Sequence, residues 1–200
     1  MAGTETDKFT IPQASAALDI PIPATRRMVE IFHIGTTEKR NKQRLFRVLN
    51  TDDLVALSFA AENREKFRSE FLIEVLRALE WAPQSRPAIK IGTIYISFDE
   101  HRKRVEHGLK KLAQLDAQVV DEPGVGPVLR GTNIEVHRLA ALAEGGASID
   151  HILDDYPSLT KDQVEIALAY AKAHPKLGKP YPKLSAKTAM RNIDLSGLED

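Results

Sequence analysis

Apolar residues recur at helical spacing along most of this chain, and short alternating runs break that period in a few places. In IPQASAALD, residues 11–19, the apolar face follows Thr10, and Gln13 completes a reciprocal cap, which predicts a first helix. DIPIP ends it, and Pro23 suits the first turn of a second helix over residues 23–32, PATRRMVEIF, with Met28, Ile31 and Phe32 turned inward. Gly35 is expected to stop that helix. A basic loop, TTEKRNKQR, then leads to Leu45-Phe46-Arg47-Val48, which suits a strand. Thr51, followed by Asp52 and Asp53, is the expected cap of a helix reaching toward Trp81, broken near residues 63–68 where the apolar stripe thins.

PQSRP, residues 83–87, reads as a linker. Beyond it, AIKIGTIYISF alternates around Gly92-Thr93, as a hairpin or bulged strand does. Ser97 with Glu100 predicts a further cap and a basic helix through Leu115. QVV and PVLRGTNIEV are expected to be short strands folded by Gly131. Residues 136–143 are helical by period and stop at Gly145-Gly146. A helix from Ser148 to Asp155 follows, then the turn Pro157-Ser158-Leu159, then a helix capped by Thr160 with Gln163. From His174 the chain turns rich in Pro and Lys.

Charge changes this picture only locally, because 28 basic residues balance 28 acidic ones over 200 residues. There is no cysteine, which rules out disulfides and thiolate metal sites and suits the cytoplasm. No basic-then-apolar leader is evident, and no apolar run approaches the roughly 18 residues of a membrane span.

Two segments have the spacing of a DNA-reading helix-turn-helix, and charge separates them. Between Ser148 and Ala173, five acids (Asp150, Asp154, Asp155, Asp162, Glu165) face two bases, Lys161 and Lys172. Affinity for DNA comes largely from neutralised phosphates, so this pair reads as a structural or protein-binding element. Between Arg26 and Arg47 the balance is reversed, with seven bases against Glu30 and Glu38. Arg26 and Arg27 fall near the start of the second helix, where side chains meet base edges and arginine grips guanine with two bonds. Thr25 is short enough to touch a phosphate or a thymine methyl, and Lys39, Arg40, Lys42 and Arg44 supply a basic wing for the backbone. A solvated basic face on a helical domain is the alternative.

The segment FTIPQASAALDIPIPATRRMVEIF…RLFRVLNTDDLVAL resembles the DNA-binding domain of the MerR superfamily in its first helix, its P-x-T-R-R second helix, its wing and its Asp-Asp-Leu helix start. It differs at Met28, where members commonly carry an aromatic residue. The resemblance implies a winged helix-turn-helix that binds operator DNA.

The second half resembles a small family of domains of unknown function through P-V-x-x-G-T-x-I-x-V from Pro127, Asp-Tyr-Pro-x-Leu-Thr from Asp155 and Ala-Leu-x-Tyr-Ala from Ala167. Asn133 stands where members usually carry arginine. Such domains are common in antitoxins encoded beside PIN-like ribonucleases, and with the MerR-like front end the whole chain resembles a VapB-type antitoxin. That resemblance implies operator binding and toxin neutralisation. Nucleases of that type hold metal in carboxylates, so a neutralising tail needs cations on apolar anchors. Lys179, Tyr181, Lys183, Leu184, Lys187 and Arg191 are the expected toxin contacts, with an unstructured solubilising tail as the alternative.

Nothing in the sequence supports catalysis. No histidine pair has the spacing of a zinc hydrolase, and GVGPVLRG lacks the third glycine of a dinucleotide loop. Tyr156 and Tyr170 read as core or rim residues with solvated hydroxyls. The expected fold is mainly α within an α+β class: a winged helix-turn-helix over residues 1–82, a hairpin-and-helix connector over 83–117, a three-helix module with a short β-hairpin over 118–175, and a flexible partner-binding tail over 176–200. The expected function is a cytoplasmic type II antitoxin that represses its own operator as a homodimer and neutralises a PIN-like ribonuclease. It needs no cofactor, metal or membrane. A stand-alone MerR-like transcription regulator and an adaptor that never binds DNA are the alternatives.

Overall fold

A computed structural model of the chain is helix-rich, with eight α-helices and three two-stranded antiparallel sheets among the described residues. Those residues are 8–40, 44–80, 88–176, 178, 181 and 182, with 39, 40, 44 and 45 described by backbone alone. The linker expected at residues 83–87 lies outside them. The chain divides into two units, Met1–Leu112 and Ala113–Asp200.

In the first unit, α1 (Ile11–Leu18) opens with the Thr10–Gln13 box and stops where Asp19 turns left-handed at φ 52°. Helix α2 (Ile22–Ile31) carries Pro23 in its first turn and buries Thr25, Met28 and Val29. Ile31, expected inside, is 41% exposed, because the inward stripe runs through Val29 and Phe32 instead. His33 and Gly35 then take positive φ, and the chain turns into β1 (Thr36–Arg40), paired with β2 (Arg44–Val48). Most of the segment expected as a loop is thus strand. Pairing to Leu45–Val48 holds it, since its own charged residues have little strand preference.

Helix α3 (Thr51–Asn63) is capped by Asn50 rather than by Thr51, because Asn50 and Asp53 exchange backbone hydrogen bonds. It is buried at every position from Leu54 to Ala60. A break follows as expected, and α4 (Ser69–Glu80) folds back with Leu72, Val75 and Leu76 inward. The hairpin β3 (Ala88–Ile91) and β4 (Ile94–Ser97) turns at Gly92, φ +58°, and leads to α5 (Asp99–Asp116). Ser97 accepts from the Asp99 N–H at the start of α5, and Glu100 pairs with Lys103 one turn on. Ile89, Phe98 and Val105 join the same core as Leu54 and Leu57, so this hairpin and most of α5 are part of the first unit and not a separate connector. His101 belongs there too: its Nδ1 lies 3.0 Å from Ser58 Oγ, its ring meets Phe59 edge-on, and burial pushes its imidazole below the ordinary value.

The second unit contains β5 (Val119–Glu122) and β6 (Gly126–Leu129), then α6 (Val136–Glu144), α7 (Ile149–Asp155) and α8 (Lys161–Ala173). The hairpin turns at Pro123-Gly124-Val125 and not at Gly131, whose positive φ serves the bend after β6. Ile152, Leu139 and Val164 form the centre of its core. Thr160 with Gln163 boxes α8, as their spacing predicts, and Ser148 caps α7.

Among the described glycines of the first unit, Gly108 on α5 has the closest neighbour. A Cβ there would come within 1.9 Å of the Ala17 carbonyl oxygen, which closes α1 against α5. Replacing glycine by alanine within a helix ordinarily stabilises by about 1 kcal/mol. Gly108→Ala is expected to do the opposite and lower unfolding free energy by about 1–3 kcal/mol in urea titration. An unchanged or raised midpoint would contradict this close packing.

Candidate nucleic-acid interface

The candidate surface is built on the clamp between α1 and α2. Ser15 Oγ lies 2.9 Å from Thr25 Oγ1, and the Ile11 and Pro21 carbonyls sit at the two ends, 2.8 and 3.3 Å away. The two hydroxyls can therefore donate in sequence toward either carbonyl, and both are satisfied although nearly water-free. Thr25, expected to touch DNA, is fully buried and serves this clamp instead. The signal was in the sequence: Met28 and Val29 lie three and four positions on, the same inward face.

With that face consumed, α2 turns Pro23, Arg26, Arg27, Glu30 and Ile31 outward. Arg26 and Arg27 are exposed, and neither forms an ion pair or hydrogen bond with a described residue.

The hairpin is anchored at its base. Asp53 Oδ2 accepts from the Asn50 N–H at 2.8 Å, and its Oδ1 accepts from the Gly35 N–H at 3.2 Å. Burial raises the Asp53 carboxyl above its ordinary value, against these two hydrogen bonds. Arg47 donates to the Gly35 carbonyl at 3.1 Å, so it is occupied in holding the turn. Lys8 pairs with Glu38 at 2.8 Å, which removes one acid from the free balance of β1. At the far end the register sets Arg40 opposite Arg44 and Lys39 opposite Leu45. Lys42 lies outside the described residues.

In the second unit, Tyr181 does not stand free. Its hydroxyl donates to the Glu135 carboxylate, while Lys176 Nζ lies 3.3 Å from the same group and 4.2 Å from the Tyr181 ring centre. The Tyr181 hydroxyl, with help from Glu135, holds the Lys176 ammonium above its ordinary value. His137 Nε2 donates to the His174 carbonyl at 2.6 Å, and His174 Nε2 meets Asp116 at 2.8 Å. The Tyr156 hydroxyl, expected to be solvated, accepts from Arg138 Nε at 2.8 Å. These contacts fold the chain after α8 back onto the start of α6. Lys179, Lys183, Leu184, Lys187 and Arg191 lie outside the described residues.

Residues 124–171, from the β5–β6 turn into α8, match the family described as "Protein of unknown function (DUF433)". The chain carries a C-terminal domain of unknown function. A stretch of 108 residues, 52% of the chain, is 29% identical to the "Uncharacterized protein y4eO" of Sinorhizobium fredii (strain NBRC 101917 / NGR234) and covers 49% of it. The chain thus spans about half the length of that relative. No solved structure matches the chain. No described helix is long and apolar enough to cross a membrane.

The clamp separates packing from recognition. Thr25→Val keeps the shape but removes one hydroxyl, and is expected to cost about 0.5–1.5 kcal/mol in urea unfolding. Any DNA affinity of the folded protein should be unchanged. A large loss of affinity at unaltered stability would instead place Thr25 against the nucleic acid.

Proposed function

We propose that this chain is the antitoxin of a type II toxin–antitoxin pair, binding operator DNA through α2 and the β1–β2 hairpin and neutralising a PIN-like ribonuclease. The observation that carries the DNA half is the outward pair Arg26–Arg27, without a partner among the described residues, on a helix whose inner face packs against α1 and α3. On this reading α1, α2, the hairpin and α3 act as a winged helix-turn-helix, with the hairpin as wing. The backbone register sets Arg40 opposite Arg44 near the end of the hairpin, which brings two cationic residues to one place along the ladder. A homodimer would present two such helices to two half-sites.

The toxin half is supported by the resemblance of the whole chain to VapB-type antitoxins and by the acidic character of α7 and α8, which suits protein rather than nucleic acid. The docking of Tyr181 on Glu135 favours a second reading for this part, in which His174, Lys176 and Tyr181 complete the folded module and the chain is a stand-alone regulator.

Arg26→Ala with Arg27→Ala should weaken binding to the preferred duplex by about 1–3 kcal/mol per lost base contact and relax its sequence preference, read by fluorescence anisotropy. Wild-type affinity in the double variant would show that α2 is not the reading helix. For the toxin half, full-length protein purified from its native host should bring a PIN-like ribonuclease with it. A chain ending at Pro182 keeps the Tyr181 contact and should bind DNA normally, yet inhibit that nuclease poorly. Full inhibition by the shortened chain would move the toxin surface onto the folded module, and absence of any nuclease would favour the stand-alone regulator.

A further inference from the structure

We propose that Glu30 reads the exocyclic amine of a cytosine in the major groove, about two base pairs from the guanine taken by Arg26; this rests on the DNA-reading role of α2 proposed above. Glu30 lies four residues after Arg26, so the two share the outward face of the helix. At 1.5 Å per residue they stand about 6 Å apart along the axis, close to two base-pair steps of 3.4 Å. A pair at this spacing can form an ion bridge within its helix. Glu30 forms none with any described residue, and its side chain is exposed.

A free carboxylate on that face has few favourable places on DNA. Against phosphates it only repels, and against guanine O6 and N7 it meets two acceptors. The donors of the major groove are the amines of cytosine and adenine. Adenine sets its amine beside the N7 acceptor, which suits a side-chain amide and not a carboxylate. Cytosine offers the amine without N7 beside it. The acid therefore costs general affinity and returns it only where a cytosine stands in register, a device that favours the cognate site over the rest of the duplex.

The test is selection from a randomised duplex pool by the full-length wild type, Glu30→Gln and Glu30→Ala at one salt concentration, with thermal melting as a check on folding. The wild type should select a guanine and a cytosine about two positions apart. Glu30→Gln removes the charge and supplies both donor and acceptor, so it should replace that cytosine by adenine, with competition affinities shifting by roughly tenfold. Glu30→Ala should accept all four bases there and bind unrelated DNA more tightly. Variants that keep the wild-type base preference at every position would overturn the role of Glu30 while leaving α2 as the reader. A wild type that selects no sequence would overturn the reading role of α2, and this inference with it.

Discussion

Helix α3 is buried at every position from Leu54 to Ala60, and the first unit is arranged to cover it. A helix without a polar face must be enclosed, so α1, α2, α4, the β3–β4 hairpin and α5 contribute to one core around it. Polar atoms drawn into that core are matched: Ser58 meets His101, and Ser15 meets Thr25. The outward face of α2 follows from this enclosure. Once Met28 and Val29 pack inward, Arg26, Arg27 and Glu30 have only solvent, or a partner, to meet.

Local signals were legible where two side chains three residues apart satisfy each other. The boxes at Thr10–Gln13 and Thr160–Gln163 were readable without tertiary context. The cap of α3 moved by one residue because Asn50 and Asp53 form a box that Thr51 does not. What long-range pairing decides was not legible. The strand Thr36–Arg40 exists through its partner β2, and the hairpin after residue 88 joins the first core through Ile89 and Phe98. Within the site, the exposure of Arg26 and Arg27 followed from helical period. The burial of Thr25 follows from the same period, although a short polar side chain beside two arginines suits recognition equally well by type. The folding of Tyr181 onto Glu135 spans 46 positions, and no local pattern announces it.

On the proposed reading the two units divide the work by charge. On α2 of the first unit, Arg26 and Arg27 are exposed and have no partner among the described residues, whereas Arg47 holds the Gly35 turn and Arg104 meets Glu62. In the second unit, acids crowd α7 and α8, and Lys176 is drawn to Glu135. A polyanion and a protein partner thus have chemically distinct surfaces to address, on separately folded parts of one chain.

On the proposed reading, the outward face of α2 and its hairpin neutralise DNA phosphates while reading bases. The salt dependence of duplex affinity for the full-length protein measures this most directly, because each neutralised phosphate contributes about −0.9 to the slope of log K against log salt. A linear fall with a slope of about −4 or steeper per chain is expected, from the arginines and lysines of α2 and the hairpin. A slope near zero, or no duplex binding at low salt, would contradict it.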